Sequence, residues 1–232
     1  MKIIKVHQDV FIVIAAYNEE SSVTAVIDDL HAAGYSHLVV VDDGSSDRTA
    51  ENAHKKGSEV HVLRHVINRG QGAALQTGID YALSQGAEII VTFDADGQHQ
   101  ASDIPKMMQP LMDGNADICL GSRFLDTTSN VPWIRRALLK AGVVLMYLMY
   151  GIKLTDSHNG FRAMTKESAR KIRITADRME HASEILEEVM KHHLRYVEVP
   201  VTIKYTPYSL QHGQSSWNAL RIAYTMIKTK FL

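Results

Sequence analysis

The sequence predicts an α/β fold, a mostly parallel sheet flanked by helices on both faces, in one domain spanning residues 1–232. Three observations carry this prediction. Short, wholly apolar runs rich in β-branched residues alternate with stretches of helical spacing, the pattern of strands covered on both faces. Glycines close several of the helical stretches. A polar cluster follows each of several strands, at the edge where open α/β sheets collect ligands.

Val10 to Ala16 reads as a buried first strand, and Tyr17-Asn18-Glu19-Glu20 as the loop after it. Val23, Val26, Ile27 and Leu30 recur at helical spacing, and Gly34 closes that helix. Leu38 to Val41 is a second strand ending at Asp42-Asp43-Gly44-Ser45-Ser46-Asp47, and Thr49 to Lys56 a short helix closed by Gly57. Val60 to Leu63 is a third strand, and Asn68-Arg69-Gly70-Gln71-Gly72 opens a helix running to about Ser84. Glu88 to Thr92 is a fourth strand, followed by Phe93-Asp94-Ala95-Asp96-Gly97-Gln98-His99. Asp103 to Met112 is helical, with Pro105 in its first turn. Ile118 to Leu120 is a further strand ending at Gly121-Ser122-Arg123-Phe124. Trp133 to Tyr150 is an apolar helix with a basic start, Asp156 to Arg162 a polar loop, and Ser183 to His192 a helix. Tyr196 to Ile203 alternates as a strand, and the tail from Ser216 reads as a basic amphipathic helix.

Composition narrows the function. A net charge of −1 gives no global field for nucleic acid. The single cysteine, Cys119, excludes an internal disulfide, suits a reducing cytoplasm, and reads as a small core residue. The first residues lack a signal-peptide pattern, and no apolar run reaches the roughly 18–20 residues that span a bilayer. The chain is therefore expected in the cytoplasm or on the cytoplasmic face of a membrane. The residues from Leu145 to Tyr150 are either core or membrane-contacting, with core favoured. Nothing in the sequence decides between a monomer and a homo-oligomer.

Asp94 and Asp96 organise the chemistry. On an extended backbone residues i and i+2 point the same way, so the two carboxylates can converge. Converging carboxylates repel unless a cation lies between them, and Mg2+ or Mn2+ prefers such oxygen ligands. Gln98 can add a carbonyl oxygen, while His99 suits a hard ion less well. The alternative is an ordinary solvated turn. Asp42 and Asp43 either accept hydrogen bonds from a nucleotide or form an N-cap and turn cluster for the Thr49 helix. Gly70 and Gly72 either bring backbone N–H groups to a phosphate or simply make a turn. Leu75 breaks the dinucleotide fingerprint, and no Walker sequence is present. Arg123 and Arg135 are candidates for an anionic partner. Glu180 and Glu184, one helical turn apart, face either a cleft or solvent, and His192 and His193 read as surface.

Taken in order, Ala16-Tyr17-Asn18-Glu19-Glu20, Val41-Asp42-Asp43-Gly44-Ser45-Ser46-Asp47-Arg48-Thr49, Asn68-Arg69-Gly70-Gln71-Gly72 and Asp94-Ala95-Asp96-Gly97-Gln98-His99 resemble the inverting glycosyltransferases of family 2, which have the GT-A fold. Gly121-Ser122-Arg123-Phe124, Thr155-Asp156 with Asn159-Gly160-Phe161-Arg162, and Gly213-Gln214-Ser215-Ser216 resemble the branch that moves a hexose from a nucleotide sugar to polyprenyl or dolichyl phosphate. The resemblance implies that Ala16, Tyr17, Glu19, Asp43 and Ala95 lie against the nucleotide sugar, and that Asp94, Asp96 and Gln98 hold the metal and diphosphate. It implies that Arg123 and Arg135 meet the lipid phosphate, with 1–122 the donor half and 123–232 the acceptor half. Ala15 replaces the family's usual proline, and the C-terminal membrane spans of many members are absent. The helix from Trp133 and the tail with Trp217, Arg221, Lys228, Lys230 and Phe231 could instead lie on a membrane surface. A phosphate acceptor needs cations rather than a base, whereas a hydroxyl acceptor would need one, for which Asp156 is the first choice and Glu184 the second. The rival expectations are a transferase acting on a sugar hydroxyl, a nucleotidyltransferase, and a nucleotide-sugar-binding regulatory module without turnover.

Overall fold

A computed structural model describes residues 9–126, 133–157 and 159–204, without the side chains of residues 133–135 and 138. The tail helix expected from Ser216 lies outside the described residues, as does the side chain of Arg135.

The first half is a run of strand–helix units. These are β1 (Val10–Ala16), α1 (Val23–Ala32), β2 (Leu38–Asp42), α2 (Thr49–His54), β3 (Val60–Arg64), α3 (Gln71–Ser84), β4 (Ile89–Asp94) and α4 (Ile104–Met112). The second half adds β5 (Ile118–Ser122), α5 (Trp133–Tyr150), β6 (Arg162–Thr165), α6 (Lys166–Lys171), α7 (His181–Lys191) and β7 (Tyr196–Pro200). The strands form one sheet in the order β3-β2-β1-β4-β6-β5-β7. All its pairings are parallel except those of β6, which runs antiparallel to both β4 and β5.

Alternation along each strand divides the core in two, because successive side chains point to opposite faces. On β1, Val10, Ile12 and Ile14 meet Val26, Ile27 and Leu30 of α1 and Met107, Met108 and Leu111 of α4. Phe11 and Val13 point the other way, onto Leu75 and Ile79 of α3 and the layer that holds Ile185 and Val189 of α7. Gly78 lets α3 close on the sheet, since a Cβ there would stand 2.3 Å from the Val13 side chain. Cys119 is buried in the α1 and α4 layer, as the sequence suggests.

Two differences from the sequence reading bear on the site. The polar loop from Asp156 ends one residue early, because Arg162 begins β6. Its register sets Arg162 opposite both Thr92 of β4 and Leu120 of β5. The last strand stops at Pro200, and residues 201–204 continue as a strap across the rim. Val201 donates to the Ser122 carbonyl, Thr202 to Asp103, and Lys204 to the Gln98 carbonyl. No helix among the described residues is long and apolar enough to cross a membrane.

Candidate active site

The chain runs outward from β1 through β2 to β3, then returns past β1 to β4. That reversal opens a crevice at the carboxyl ends of β1 and β4, where α/β sheets bind ligands. The registers bring Ala15 beside Asp94 and Ala16 beside Asp42. A cavity of about 380 Å³ occupies the crevice. One wall includes Ala16, Tyr17, Glu19, Asp43, Asn68 and Gly70. Asp94, Ala95, Asp96, Gln98 and His99 line it further along, and Arg123, Asn159 and Gly160 complete the far side.

The loops after β1 and β2 are interlocked by hydrogen bonds. Asn18 N–H donates to Ser45 Oγ at 2.9 Å and Glu19 N–H to Thr49 Oγ1 at 2.8 Å, while Ser46 N–H returns one to Asn18 Oδ1 at 3.0 Å. Asp43 is gripped as firmly. Its carboxylate accepts from the Arg69 N–H at 3.0 Å and the Gly70 N–H at 2.6 Å, and it lies 2.6 Å from His65 Nδ1. Gly70 therefore spends its N–H on Asp43. A Cβ at Gly72 would meet the Ala176 carbonyl at 2.0 Å, so this glycine serves close packing of α3 against the segment before α7.

Asp94 sits at the end of β4. Its Oδ1 accepts from Gln71 Nε2 at 2.9 Å, and its Oδ2 lies 2.9 Å from His99 Nε2. The His99 ring is itself held between Phe93 and Phe161, at centroid distances of 5.3 and 5.0 Å. Burial by itself would raise the Asp94 pKa, but His99, Arg162 and His181 together hold it below the usual carboxylate range. Asp96 behaves oppositely. Burial first and the Asp94 charge second push it up to about 6. One oxygen of Asp96 accepts from the Gln98 N–H at 2.9 Å.

This donor set fits a hard divalent cation. The two carboxylates and the Gln98 side chain offer oxygen along one stretch of the cavity wall, and burial together with the neighbouring Asp94 charge disfavours an ionised Asp96 unless a cation offsets it. Among the described residues no group of three His, Cys, Asp or Glu side chains could hold a metal ion. An ion here would complete its shell with substrate phosphate or water, as Mg2+ commonly does.

At the far wall Arg123 Nε donates to Asp156 Oδ2 at 2.6 Å, and both residues are buried. Glu198 of β7 accepts from the Asp156 N–H at 3.0 Å and from Thr155, and so fixes the loop from below. Arg162 is 2% exposed, and burial pulls its guanidinium down to about 10 against the opposing fields of Asp94 and Asp156.

Several sequence readings change in this light. Asp42 stands outside the cavity wall: fully buried, it accepts from the Ser45 N–H at 3.1 Å and pairs with Arg64 Nε at 3.1 Å. Of its two readings, the turn-stabilising one matches this environment. Asp156 also lies off the wall, and its buried bond to Arg123 suits positioning rather than proton abstraction. Glu184 is engaged by the N–H groups of Thr175 and Ala176, so it holds a turn. Glu180 stands at the N-cap of α7, away from the cavity lining, and His192 sits 3.3 Å from Glu188. Among the cavity residues to which sequence reasoning gave no role are Asn68, Gln71, Asn159, Gly160, Met179 and Ile203. The first four lay inside quoted motifs, whereas Met179 and Ile203 arrive from distant segments with no local signal.

The switch-point crevice and its paired carboxylates are those of a GT-A glycosyltransferase. Residues 11–173 match the family model described as "Glycosyl transferase family 2", and the chain belongs to that family. It is a glycosyltransferase. The chain is 32% identical to the UDP-N-acetylglucosamine–dolichyl-phosphate N-acetylglucosaminyltransferase of Methanococcus voltae, covering 95% of this chain and 96% of that one. It is 32% identical to the polyprenol monophosphomannose synthase of Mycolicibacterium smegmatis, over 73% of this chain and 66% of the other. The glucosyl-3-phosphoglycerate synthase of Mycobacterium tuberculosis, solved with Mn2+, uridine diphosphate and phosphoglyceric acid, shares the fold at a TM-score of 0.70. That likeness covers 97% of this chain and 79% of the other at 16% identity.

Proposed function

We propose that this glycosyltransferase moves a hexose from a nucleoside diphosphate sugar to a polyprenyl or dolichyl phosphate, with inversion and with the help of Mg2+ or Mn2+. The observation that carries the reading is Arg123, held by buried Asp156 in the wall of the cavity that also contains Asp94 and Asp96. A guanidinium suits a phosphate acceptor, and a phosphate already ionised near pH 7 needs no strong base. The relatives named for dolichyl-phosphate and polyprenol acceptors point the same way. A sugar-hydroxyl acceptor would need a base, and the two expected bases, Asp156 and Glu184, are both engaged elsewhere.

In this mechanism Ala16, Tyr17, Glu19 and Asp43 bind the nucleoside, and Ala95 lies beside the diphosphate. Asp94, Asp96 and Gln98 would hold the ion. When bound, it would neutralise charge growing on the leaving diphosphate. Gln71 and His99 keep the Asp94 carboxylate turned to its task. Arg123, with Arg135 as a second cation, positions the acceptor phosphate for attack on the opposite face of the anomeric carbon. The exposed Val144, Tyr147 and Leu148 on α5 form an apolar face that supports contact with a membrane surface, where such an acceptor resides. A second copy of the chain is the competing occupant of that face, and vesicle flotation beside sedimentation of the free protein separates the two.

The test is a thermal-shift panel of UDP-, GDP- and dTDP-sugars with Mn2+ or Mg2+, followed by radiolabelled transfer to polyprenyl phosphate. Metal-dependent label in the lipid supports the reading. Transfer to a sugar hydroxyl but not to the lipid would replace it.

A further inference from the structure

Asn159 lines the cavity and is only 5% exposed. Its Oδ1 accepts from the Phe161 backbone N–H at 3.0 Å. That bond fixes the amide's orientation, because the flipped group would set two donors against each other. The Nδ2 group is therefore the other end of the amide; it is buried, and among the described residues it has no hydrogen-bond partner. Buried donors in this condition are uncommon and call for a partner, which an ordered water or a bound ligand can supply; Asn159 differs from most of the others in lining the cavity.

The sheet order indicates which ligand group that is. Asn159 and Gly160 lead into β6, and β6 lies between β4 and β5. β4 ends at Asp94, just before Asp96, and Arg123 directly follows β5. In a single displacement at an anomeric carbon, the leaving and attacking oxygens stand on opposite sides of that carbon. The sugar ring must then fill the interval between the diphosphate site and the acceptor cation, and the loop bearing Asn159 borders that interval. The loop is pressed close to the donor carboxylate. A Cβ at Gly160 would stand 2.8 and 2.9 Å from the Asp94 oxygens, and the Gly160 carbonyl accepts from Thr92 Oγ1 at 2.7 Å.

We propose that Asn159 is a specificity-determining residue whose Nδ2 group donates a hydrogen bond to an oxygen of the transferred sugar, a ring hydroxyl or an acylamino carbonyl. The inference rests on the donor reading above and deepens it. A site that hydrogen-bonds a substrate group rejects analogues lacking that group far more strongly than an apolar pocket rejects a missing methylene. Asn159 would thus set which hexose is accepted, while the nucleoside and diphosphate are held elsewhere.

The decisive variant is Asn159→Ser, whose hydroxyl can still accept from the Phe161 N–H but cannot extend an amide to the sugar. Asn159→Ala, which also loses the turn bond, reports the cost of the loop by its melting temperature. Calorimetry measures affinity for UDP and GDP, then for UDP-N-acetylglucosamine, UDP-glucose and GDP-mannose, each with Mn2+. Steady-state kinetics follow on the preferred donor and its monodeoxy analogues. The expected result for Asn159→Ser is affinity for the bare diphosphate within about twofold of wild type and kcat/KM on the full donor lower by roughly ten- to a hundredfold. One deoxy analogue that the wild type handles poorly should show no further penalty in the variant. Equal losses for diphosphate and sugar ester would assign the contact to the diphosphate or to the loop's structure and overturn the inference. Unchanged penalties across the deoxy series would also overturn it. A wild-type protein that binds no nucleoside diphosphate would sink the donor reading itself, and this one with it.

Discussion

The two sides of the cavity, proposed to take the donor and the acceptor, are built by different means. On the donor side, carboxylates rest on backbone N–H groups of adjoining loops: Asp43 on Arg69 and Gly70, Asp42 on Ser45, Asp96 on Gln98. On the other side, a buried ion pair, Arg123–Asp156, is added to such bonds: Asp156 also accepts from the Arg123 N–H, Glu198 from the Asp156 N–H, and the enclosed cation Arg162 lies in the field of Asp156. Where the backbone donor is a single N–H, as at Asp96, losing the side chain orphans one group and costs about 1–3 kcal/mol at most. A buried charge network is more sensitive, because removing one member leaves its partner uncompensated in a medium that solvates it poorly. The difference teaches that the donor rim should tolerate structural damage and lose chemistry, whereas the acceptor rim should lose both.

The largest effect should come from the carboxylate pair. Asp96→Ala is expected to lower metal-dependent transfer by at least about a hundredfold while leaving the melting temperature near wild type, because it removes electrostatic stabilisation rather than packing. Near-normal turnover would break the donor half of the comparison. Next, Asp156→Ala should break the buried ion pair with Arg123 and cost about 3–5 kcal/mol of folding stability, read by urea denaturation, along with transfer to lipid phosphate. A variant as stable as wild type would show that Arg123 does not depend on its buried partner. Third, Gly160→Ala should drive a methyl into the Asp94 carboxylate, which a Cβ would approach to 2.8 Å. Roughly tenfold lower kcat/KM with an intact fold is expected, since small misplacements near reacting atoms are costly. Unchanged kinetics would show that the two sides do not meet there.

The smallest effect lies at the far edge of the sheet, where β5 meets β7. The hydrogen bond from Arg195 holds Asp117 below the usual carboxylate range at the junction of β5 and β7. A depressed pKa contributes stability that is present above the unfolded value of about 4 and is lost as pH falls through the folded value. Asp117→Asn should therefore be slightly less stable than wild type at pH 7, with the gap closing below about pH 4. The pair is largely solvent-exposed, so the gap should be small. A gap that persists at low pH would assign the effect to shape rather than charge.

Much of the donor half could be read from residues alone. Its strands are continuous apolar runs, its helices repeat at helical spacing, and its loops carry their polar residues within a few positions of the strands that aim them. Asp43, Asp94, Asp96, Gln98, Tyr17 and Glu19 all line the cavity as that pattern suggests. Asp42 shows the limit. Two adjacent acids on a strand end point to opposite sides, and nothing in Asp42-Asp43 says which one meets the crevice.

What the chain determined by itself was the succession of βα units and the edge on which polar side chains gather, because strand and helix periodicity are local properties. What only the tertiary structure decided was the acceptor side. The four residues Arg162 to Thr165 carry no clear strand pattern and become β6 because β4 and β5 present their backbone groups on either side. From that insertion follow the burial of Arg162, the placement of Asn159 between the ends of β4 and β5, and the pairing of Asp156 with Arg123. Pairings across 33 and 68 residues are set by the energy of the whole sheet, and no window of sequence contains them.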